Sequence, residues 1–325
     1  MRTKVAVVYG GRSGEHEISI RSARSILESL DRGRYDVVEY FIDKNGKWSP
    51  SCILPEPGAN GGIEVVFPVL HGTYGEDGTM QGLLELADVA YVGPGVLASS
   101  VSMDKDVVKR LFRERGLPVV DCVVLTRPNL DASEAPTKFG YPLFVKPANL
   151  GSSVGISKVR DASELRTAVE LAAQFDRKVI VERAIIGREF ECSVLGNDDV
   201  LASLACEVLP SREFYDYEDK YLLDEARIEM PANLPPDKMN ALRRCAVEAY
   251  RAAGCEGMAR VDFLLEAASG NLYINEINTI PGFTSISMFP KMWEYGGLTF
   301  GQLVDRLIEL ALERQAMKRA TKFTR

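Results

Sequence analysis

The most informative residues of this chain are three oxygen-bearing side chains, Asp262, Glu276 and Asn278. Glu276 and Asn278 are two positions apart in N-E-I-N-T, so on a β-strand they share one face. Asp262 lies in the apolar run A-R-V-D-F-L-L, and the turn residues S-G-N at 269–271 predict a hairpin between the two runs. Carboxylate and amide oxygens suit Mg²⁺, which also binds substrate phosphates. A solvated acidic strand end is the alternative, but so many ligand types on one face favour a site that binds a nucleoside triphosphate through metal.

A second candidate segment, K-P-A-N-L-G-S-S-V-G at residues 146–155, joins two predicted strands. Gly151, Ser152 and Ser153 can offer N–H and O–H donors to phosphate oxygens, and Lys146 adds a point charge. The segment is not a Walker A loop, because that motif needs G-K-S/T at the start of a helix. Alone it indicates a turn, whereas together with a metal site it indicates phosphate binding.

Two further glycine-rich loops follow predicted strands. H-G-T-Y-G-E-D-G-T-M-Q-G at 71–82 lacks the G-x-G-x-x-G spacing of a dinucleotide fingerprint. Y-G-G-R-S-G-E-H-E-I-S at 9–19 carries Glu15, which we expect near a helix start, where a carboxylate is favourable. Glu15 therefore has two open interpretations, a helix cap and a site residue.

The elements that position these residues begin with an apolar run at 4–9, typical of a buried parallel strand. A helix is predicted over 18–30, with strands over 35–42, 64–70 and 89–92. Strands that alternate with helices predict an α/β domain whose site lies beyond the carboxyl ends of the strands.

A helix over 103–115 ends at Gly116 and Pro118, which predicts a domain junction. A second unit has strands over 142–146, 155–159 and 178–182 and a helix over 163–174. A third has strands over 189–195 and 200–208, a helix over 237–253, the hairpin and a helix over 300–318. Residues 210–229 are polar, rich in tyrosine and without period, which is typical of a functional lid.

Composition restricts the class of protein. The length of 325 residues allows two or three domains, and 46% hydrophobic with 26% charged residues is ordinary for a globular chain. No apolar run approaches the roughly 18 residues that span a membrane, and the N-terminus does not resemble a signal peptide, so we expect a cytoplasmic protein. The net charge of −7 disfavours nucleic-acid and membrane partners. The six cysteines contain no C-x-x-C pair and are expected to be reduced, and a zinc site is not expected.

Seven stretches, in order along nearly the whole chain, resemble the D-alanine–D-alanine ligases of the ATP-grasp superfamily. They are G-G-R-S-G-E-H-E-I-S, H-G-T-Y-G-E-D-G-T-M-Q-G, M-D-K, K-P-A-N-L-G-S-S-V-G, F-Y-D-Y-E-D-K-Y, A-R-V-D-F and N-E-I-N-T-I-P-G-F-T-S-I-S. The resemblance implies an α/β ATP-grasp fold, with an N-terminal parallel-sheet domain and two α+β lobes enclosing the nucleotide. The implied domains are 1–103, a central lobe at 104–184 and a C-terminal lobe at 185–325 with the lid at about 210–229.

The resemblance also implies a two-step reaction, in which ATP phosphorylates one D-alanine and the amine of a second attacks the D-alanyl phosphate. Such a dipeptide serves peptidoglycan precursor synthesis. Asp262, Glu276 and Asn278 would bind two Mg²⁺ ions, with Mn²⁺ as a possible substitute. The implied nucleotide contacts are Lys105, Lys146, Ser153, Glu182, Ile185, Glu189 and Lys220. Arg183 and Ala184 stand where the family more often has lysine and an aromatic residue, a departure that concerns the wall of the adenine pocket.

On the amino-acid side, the resemblance assigns Glu15 to the ammonium of the first D-alanine and His71 to its neighbourhood. Arg260 and the Gly282 amide would stabilise an oxyanion. Ser287 and the Met288 amide would bind the carboxylate of the second D-alanine. Ser152 and Tyr221 would bond with Glu15 and close the lid over the site.

Two rival functions remain open. The first is an ATP-grasp ligase that uses D-lactate or another acceptor; Tyr221 favours the dipeptide-forming enzyme. The second is a nucleotide-binding regulator without catalysis, which the combination of metal ligands, Arg260 and Lys220 disfavours. The family resemblance suggests a homodimer that binds small molecules.

Overall fold

The computed structural model describes residues 2–152, 154–209 and 227–322, and its first unit is a five-stranded sheet. The strands are β1 Thr3–Gly10, β2 Tyr35–Ile42, β3 Trp48–Ser49, β4 Val65–Val69 and β5 Ala90–Tyr91, in the order β3-β2-β1-β4-β5. All pairs are parallel except the edge pair β2–β3. The predicted parallel sheet is therefore confirmed. Its central strands carry unbroken apolar runs because they are buried on both faces.

Four helices belong to this part of the chain: α1 His16–Ser29, α2 Thr79–Leu86, α3 Val96–Met103 and α4 Lys105–Glu114. The predicted helix over 103–115 is wrong at its start. Asp104 is extended, and its side chain accepts hydrogen bonds from the amides of Asp106 and Val107. This N-cap ends α3 and starts α4, which turns the axis of the chain at the entrance to the next unit.

The second unit is a four-stranded antiparallel sheet, in the order β6-β9-β7-β8. Its elements are β6 Cys122–Thr126, α5 Glu134–Phe139, β7 Leu143–Pro147, β8 Ser157–Val159, α6 Ala162–Phe175 and β9 Lys178–Arg183. Helix α6 packs its alanine-rich face on this sheet in a separate hydrophobic core. The turn between β7 and β8 contains the glycine-serine segment.

The third unit is built on a six-stranded antiparallel sheet, in the order β13-β12-β10-β14-β15 with β11 paired to β10. Its strands are β10 Gly187–Gly196, β11 Leu201–Ala202, β12 Cys206–Leu209, β13 Arg227–Glu229, β14 Gly257–Glu266 and β15 Leu272–Asn278. Its helices are α7 Pro236–Ala252, α8 Met288–Tyr295 and α9 Phe300–Ala320.

One predicted strand of this unit is wrong in part. The single strand over 200–208 is two short strands, because Ser203 turns its hydroxyl inward to bond the amide of Ser193 and interrupts the run. The fold class is as predicted, but the short helices α2, α3, α5 and α8 and the strands β3 and β13 were not predicted, and β13 lies within the segment 210–229 that was predicted to be a lid without regular structure. Three cysteines, Cys192, Cys206 and Cys255, are buried, Cys52 is exposed, and all six are free thiols.

The last helix returns to the first sheet. Leu303, Val304 and Leu307 of α9 belong to the same buried cluster as Val5 and Phe67 of the N-terminal strands. Met258 of β14 also reaches this cluster. The third unit is thus packed firmly against the first, which fixes the end of β15 beside the loops that follow β1 and β4.

Candidate active site

The β14–β15 hairpin brings the predicted oxygen ligands onto one face of the sheet. Asp262 lies opposite Glu276, and Arg260 lies opposite Asn278. The Asn278 Nδ2 donates to Asp262 Oδ2 at 3.0 Å, so the amide oxygen of Asn278 points away from that carboxylate. A register shift follows Asp262, where a bulge accommodates the change of pairing before Phe263. The predicted hairpin and the proximity of these side chains are both confirmed.

Arg260 lies between two buried carboxylates. Its Nε and Nη2 donate to the two oxygens of Asp262, each at 2.7 Å, and its Nε lies 3.1 Å from Glu191 Oε2. Burial disfavours the charge of Arg260, but Asp262 and Glu191 outweigh this and hold its pKa well above the usual value. The guanidinium is therefore fixed in place and permanently charged.

Glu191 was not singled out from the sequence. It lies on β10 opposite Asp262, so Glu191, Asp262 and Glu276 form one row across three adjacent strands. The alternation in E-F-E-C-S carried a signal, because Phe190 and Cys192 face the core and Glu191 must face the opposite side. Three carboxylates around one guanidinium make a strongly polar floor.

This floor suits a hard cation. Two carboxylates and an amide oxygen are the donor types that Mg²⁺ accepts while retaining water. Among the described residues no group of three or more His, Cys, Asp or Glu side chains forms a metal cluster. The candidate set combines two carboxylates, Asp262 and Glu276, with the amide of Asn278, donor types that can bind a hard cation whose other ligands are water and phosphate.

A cavity of about 350 Å³ lies directly beside this floor, between the second and third units. Six of the predicted site residues line it: Lys105, Lys146, Ser152, Ile185, Glu189 and Glu276. Lys105 donates to the Leu150 carbonyl at 2.7 Å and lies 3.8 Å from Glu276 Oε2. It therefore links the glycine-serine turn to the polar floor. The volume lies in the range of small-molecule sites.

Glu182 anchors the back of the cavity through two lysines. Lys146 contacts Glu182 Oε1, and Lys109 lies 2.9 Å from Oε2 and donates to the Val120 carbonyl at 3.2 Å. Burial raises the pKa of Glu182, but Lys109 and Lys146 outweigh it, so the pKa is below its usual value. Lys109 was missed because a lysine four residues after Lys105 on an amphipathic helix is typical of a solvated face.

The departures at Arg183 and Ala184 have a structural counterpart. Arg183 pairs with Glu266 and stands over the ring of Tyr273, with the guanidinium carbon 5.5 Å from the ring centroid. Ala184 is buried, and Ile185 and the exposed Ile186 line the cavity. The arginine thus turns toward β14 and β15 and leaves this wall of the cavity to aliphatic side chains.

Glu15 is a bridge between two units rather than a cap. It occupies the N-cap position of α1 but makes no side-chain cap bond. Its Oε1 instead accepts a hydrogen bond from Ser152 Oγ. Ser152 adopts a left-handed backbone with φ of 53°, which aims its hydroxyl across the gap. Gly72 has a left-handed φ of 74°, which favours glycine, and a Cβ at that position would displace the Glu15 carboxylate, whose Oε2 would lie 2.5 Å away.

The loop after β15 holds Gly282 beside Ser287. A Cβ on Gly282 would lie 2.8 Å from Ser287 Oγ, so a larger residue there would displace the Ser287 hydroxyl. Ser287 is the N-cap residue of α8, and its hydroxyl accepts from the Thr284 amide at 3.0 Å. Met288 is the first residue of that helix, so its N–H lies at the positive end of the helix dipole.

His71 is buried behind this loop. Its Nδ1 lies 3.1 Å from the Ile280 carbonyl oxygen and its Nε2 lies 3.0 Å from Ser22 Oγ. Both ring nitrogens are therefore directed at protein groups. Ser153, Lys220, Tyr221 and most of the predicted lid at 210–229 lie outside the described residues.

Within the described part of the chain, no helix is both long and apolar enough to cross a membrane. The family model "D-ala D-ala ligase C-terminus" matches residues 111–309, and the model of the N-terminus of the same ligases matches 4–57 and 54–94.

Relatives of known name cover the whole chain. A D-alanine–D-alanine ligase of Solibacter usitatus is 65% identical over 325 residues, with 100% of both chains covered. D-alanine–D-alanine ligase A of Escherichia coli K12 is 45% identical over 362 residues, with 99% of both covered. The solved D-alanine–D-alanine ligase of Coxiella burnetii has a TM-score of 0.88 at 37% identity, covering 98% of this chain and 96% of its own. The D-Ala:D-Ser ligase VanG of Enterococcus faecalis also has 0.88 at 37%, covering 96% and 100%. The chain has the ATP-grasp fold and belongs to the D-alanine–D-alanine ligase family.

Proposed function

We infer that this protein is an ATP-dependent ligase that joins two D-alanines into D-alanyl-D-alanine for peptidoglycan precursor synthesis. A carboxylate oxygen of the first D-alanine attacks the γ-phosphorus of ATP, and ADP leaves. The amine of the second D-alanine attacks the carbonyl carbon of the resulting D-alanyl phosphate, and phosphate leaves with that oxygen. The main support for this function is the polar floor of carboxylates around Arg260, which adjoins a cavity lined by Lys105 and Lys146.

For the nucleotide, we propose that Lys105 and Lys146 contact the phosphates. Both are buried, line the cavity and are held by protein partners, Lys105 by the Leu150 carbonyl and Lys146 by Glu182, so little side-chain freedom remains to be lost on binding. Ile185 and Glu189 line the far end, where the base and ribose would lie. Glu182 is assigned to the base from the sequence resemblance, and its ion pair would also orient Lys146. Ser153 and Lys220 are assigned to the phosphates from the sequence resemblance alone.

For the metal, we propose two Mg²⁺ ions held by Asp262, Glu276 and Asn278, with Mn²⁺ as a substitute. When bound, such ions neutralise phosphate charge and align the transferred group. The chain's own contribution is to fix the ligand oxygens, since Asp262 is clamped by Arg260 and Asn278.

For the first D-alanine, we propose that the Glu15 carboxylate binds the ammonium. Its bond to Ser152 supports this, because it holds the carboxylate at the gap between two units. Arg260 and the Gly282 N–H are proposed to stabilise the oxyanion of the tetrahedral intermediate, and one such donor is typically worth about 3–4 kcal/mol. His71 would support this subsite from behind.

For the second D-alanine, we propose that Ser287 and the Met288 amide bind the carboxylate. The start of α8 supports this, because a helix N-terminus favours a negative charge. Tyr221 is proposed to join the bond between Glu15 and Ser152 and to close the site, so that water does not hydrolyse the acyl phosphate.

At the level of the whole chain, we propose domains at 1–103, 104–184 and 185–325, a homodimer and a cytoplasmic location. The three separate sheets support the domain limits. The shared core of α9 and the first sheet joins the first and third domains through buried apolar contacts.

Phosphate release tests the proposal. The protein is mixed with ATP and Mg²⁺, with and without D-alanine, and the product is identified by mass. We expect release that requires D-alanine and a product of the mass of D-alanyl-D-alanine. Because one solved relative is a D-Ala:D-Ser ligase, D-serine and D-lactate are added in parallel as competing acceptors. Equal use of either acceptor would overturn the assignment of D-alanine as the second substrate.

A further inference from the structure

His71 links helix α1 to the backbone on both sides of Gly282. Its Nδ1 lies 3.1 Å from the carbonyl oxygen of Ile280, two residues before Gly282. Its Nε2 lies 3.0 Å from Ser22 Oγ, and that oxygen accepts the N–H of Phe283, the next residue, at 3.2 Å. The 280–283 segment is therefore held at both ends through one imidazole and one hydroxyl, both buried.

The hydrogen-bond partners of His71 determine which of its ring nitrogens carry a proton. The Ile280 carbonyl can only accept, so Nδ1 must carry a proton. The Ser22 oxygen already accepts from Phe283. In the neutral form of His71 the serine donates its own proton to Nε2; in the cationic form Nε2 donates and the serine accepts twice. The cationic form therefore replaces the neutral serine-to-imidazole bond with a charge-assisted bond at the point that anchors Phe283.

Glu76 determines which form is present. Its Oε1 lies 3.5 Å from His71 Nδ1, and its side chain is only 15% exposed. The titratable groups that face His71 are Glu76 from its own loop and Glu15 from the start of α1, while the 280–283 segment contributes none. Burial lowers the pKa of His71, but Glu76 and then Glu15 outweigh it and raise it. Burial and Glu15 raise the pKa of Glu76 to about 7, although His71 opposes them.

We propose that Glu76, His71 and Ser22 form a positioning relay that holds the 280–283 segment so that the Gly282 N–H points into the reacting site. The hydrogen bonds of this relay are strongest when Glu76 is ionised. This inference rests on the proposed function, because it assumes that Gly282 acts on the oxyanion. It also gives His71 a positioning role, in which its ring need not touch the first substrate. Within the described residues no acceptor is bonded to the Gly282 N–H, which leaves it available.

Ser22→Ala tests the relay with a matched control on the same helix. Ser19 is equally buried, but its hydroxyl bonds the Gly10 amide and the Val69 carbonyl instead of the 280–283 segment. We expect Ser22→Ala to lower kcat about tenfold or more at saturating substrates while KM for ATP changes less than about twofold, and Ser19→Ala to retain kcat. A kcat for Ser22→Ala equal to that of Ser19→Ala would overturn the relay, because both variants lose a buried hydroxyl.

Glu76→Gln supplies a second readout that keeps side-chain volume and folding. The amide imitates the protonated carboxyl, so this variant should match the wild type near pH 6. It should fall about fivefold or more behind in kcat near pH 8.5, where the wild-type carboxylate is ionised. A ratio that stays constant from pH 6 to 8.5 would overturn the relay. Failure of the wild type to form dipeptide would refute the proposed function instead, so the two failures are distinguishable.

Discussion

Replacement of Arg260 by glutamine should destabilise the fold, because it removes a guanidinium that lies between two buried carboxylates. Asp262 and Glu191 are each 3% exposed, and Arg260 makes contacts at 2.7, 2.7 and 3.1 Å with them. Loss of one partner of a buried ion pair typically costs 3–5 kcal/mol, because the remaining charges stay desolvated. Asn278 keeps its bond to Asp262 and offsets part of this. We therefore expect a loss of about 3 kcal/mol in the free energy of unfolding.

Urea unfolding of Arg260→Gln and of a control measures this loss. Arg306→Gln is the control, because Arg306 pairs with Glu309 and Glu313 on the exposed side of α9 and such pairs are worth about 0–1 kcal/mol. The midpoint of Arg260→Gln should fall with an unchanged slope. A variant that loses no more than the control would refute the view that Arg260 balances the charge of this floor.

Three further predictions concern the metal site, the lysine pair and the substrate. Glu276→Gln should remain folded and lose about a hundredfold or more in turnover, a barrier increase of about 2.7 kcal/mol; near wild-type turnover at saturating Mg²⁺ would contradict the metal assignment. The pKa of Glu182 is lower in the folded than in the unfolded protein, so its ionised carboxylate stabilises the fold at pH values above the unfolded-state pKa. This stabilisation is lost as pH falls through the folded-state pKa. Lys109→Met should therefore be less stable than the wild type near pH 7, and this deficit should shrink as pH falls below the ordinary carboxyl value of 4.5, in unfolding measured between about pH 3 and 7, whereas the exposed Lys138→Met should show no such deficit. Phosphate release from ATP should be far slower with L-alanine than with D-alanine. When the ammonium and the carboxylate of one amino acid are both fixed, the methyl group on the α-carbon can point in only one direction. Equal rates with the two enantiomers would refute this geometry.

The sequence predicts much of this molecule where the signal is local. The hairpin with Asp262 and Glu276 is predictable because strand alternation and a turn motif both lie within about twenty residues. The parallel sheet is predictable because doubly buried strands are continuous apolar runs. Helices α2 and α3 were missed because each has eight residues and carries glycine or serine, which leaves too few turns for a clear period.

The remaining site features depend on contacts that no local pattern contains. His71 meets Ile280 across 209 positions, so the pairing of its ring exists only after α1, β4 and β15 have assembled. Glu191 faces the site because β10 pairs with β14, and the sequence of one strand does not show which of its faces borders a functional site. Lys109 is buried because it pairs with Glu182 of β9, whereas the amphipathic pattern of its own helix predicts a solvent-exposed lysine.

The acyl phosphate is the central claim of the mechanism, and one isotope measurement tests it most directly. D-Alanine carrying ¹⁸O in both carboxylate oxygens is converted with unlabelled ATP, and the released inorganic phosphate is analysed by mass. The carboxylate oxygen that attacks the γ-phosphorus must leave with the phosphate when the second amine displaces it. We therefore predict one ¹⁸O in the phosphate for each dipeptide formed. Dipeptide accompanied by unlabelled phosphate would contradict activation of the carboxylate by phosphoryl transfer.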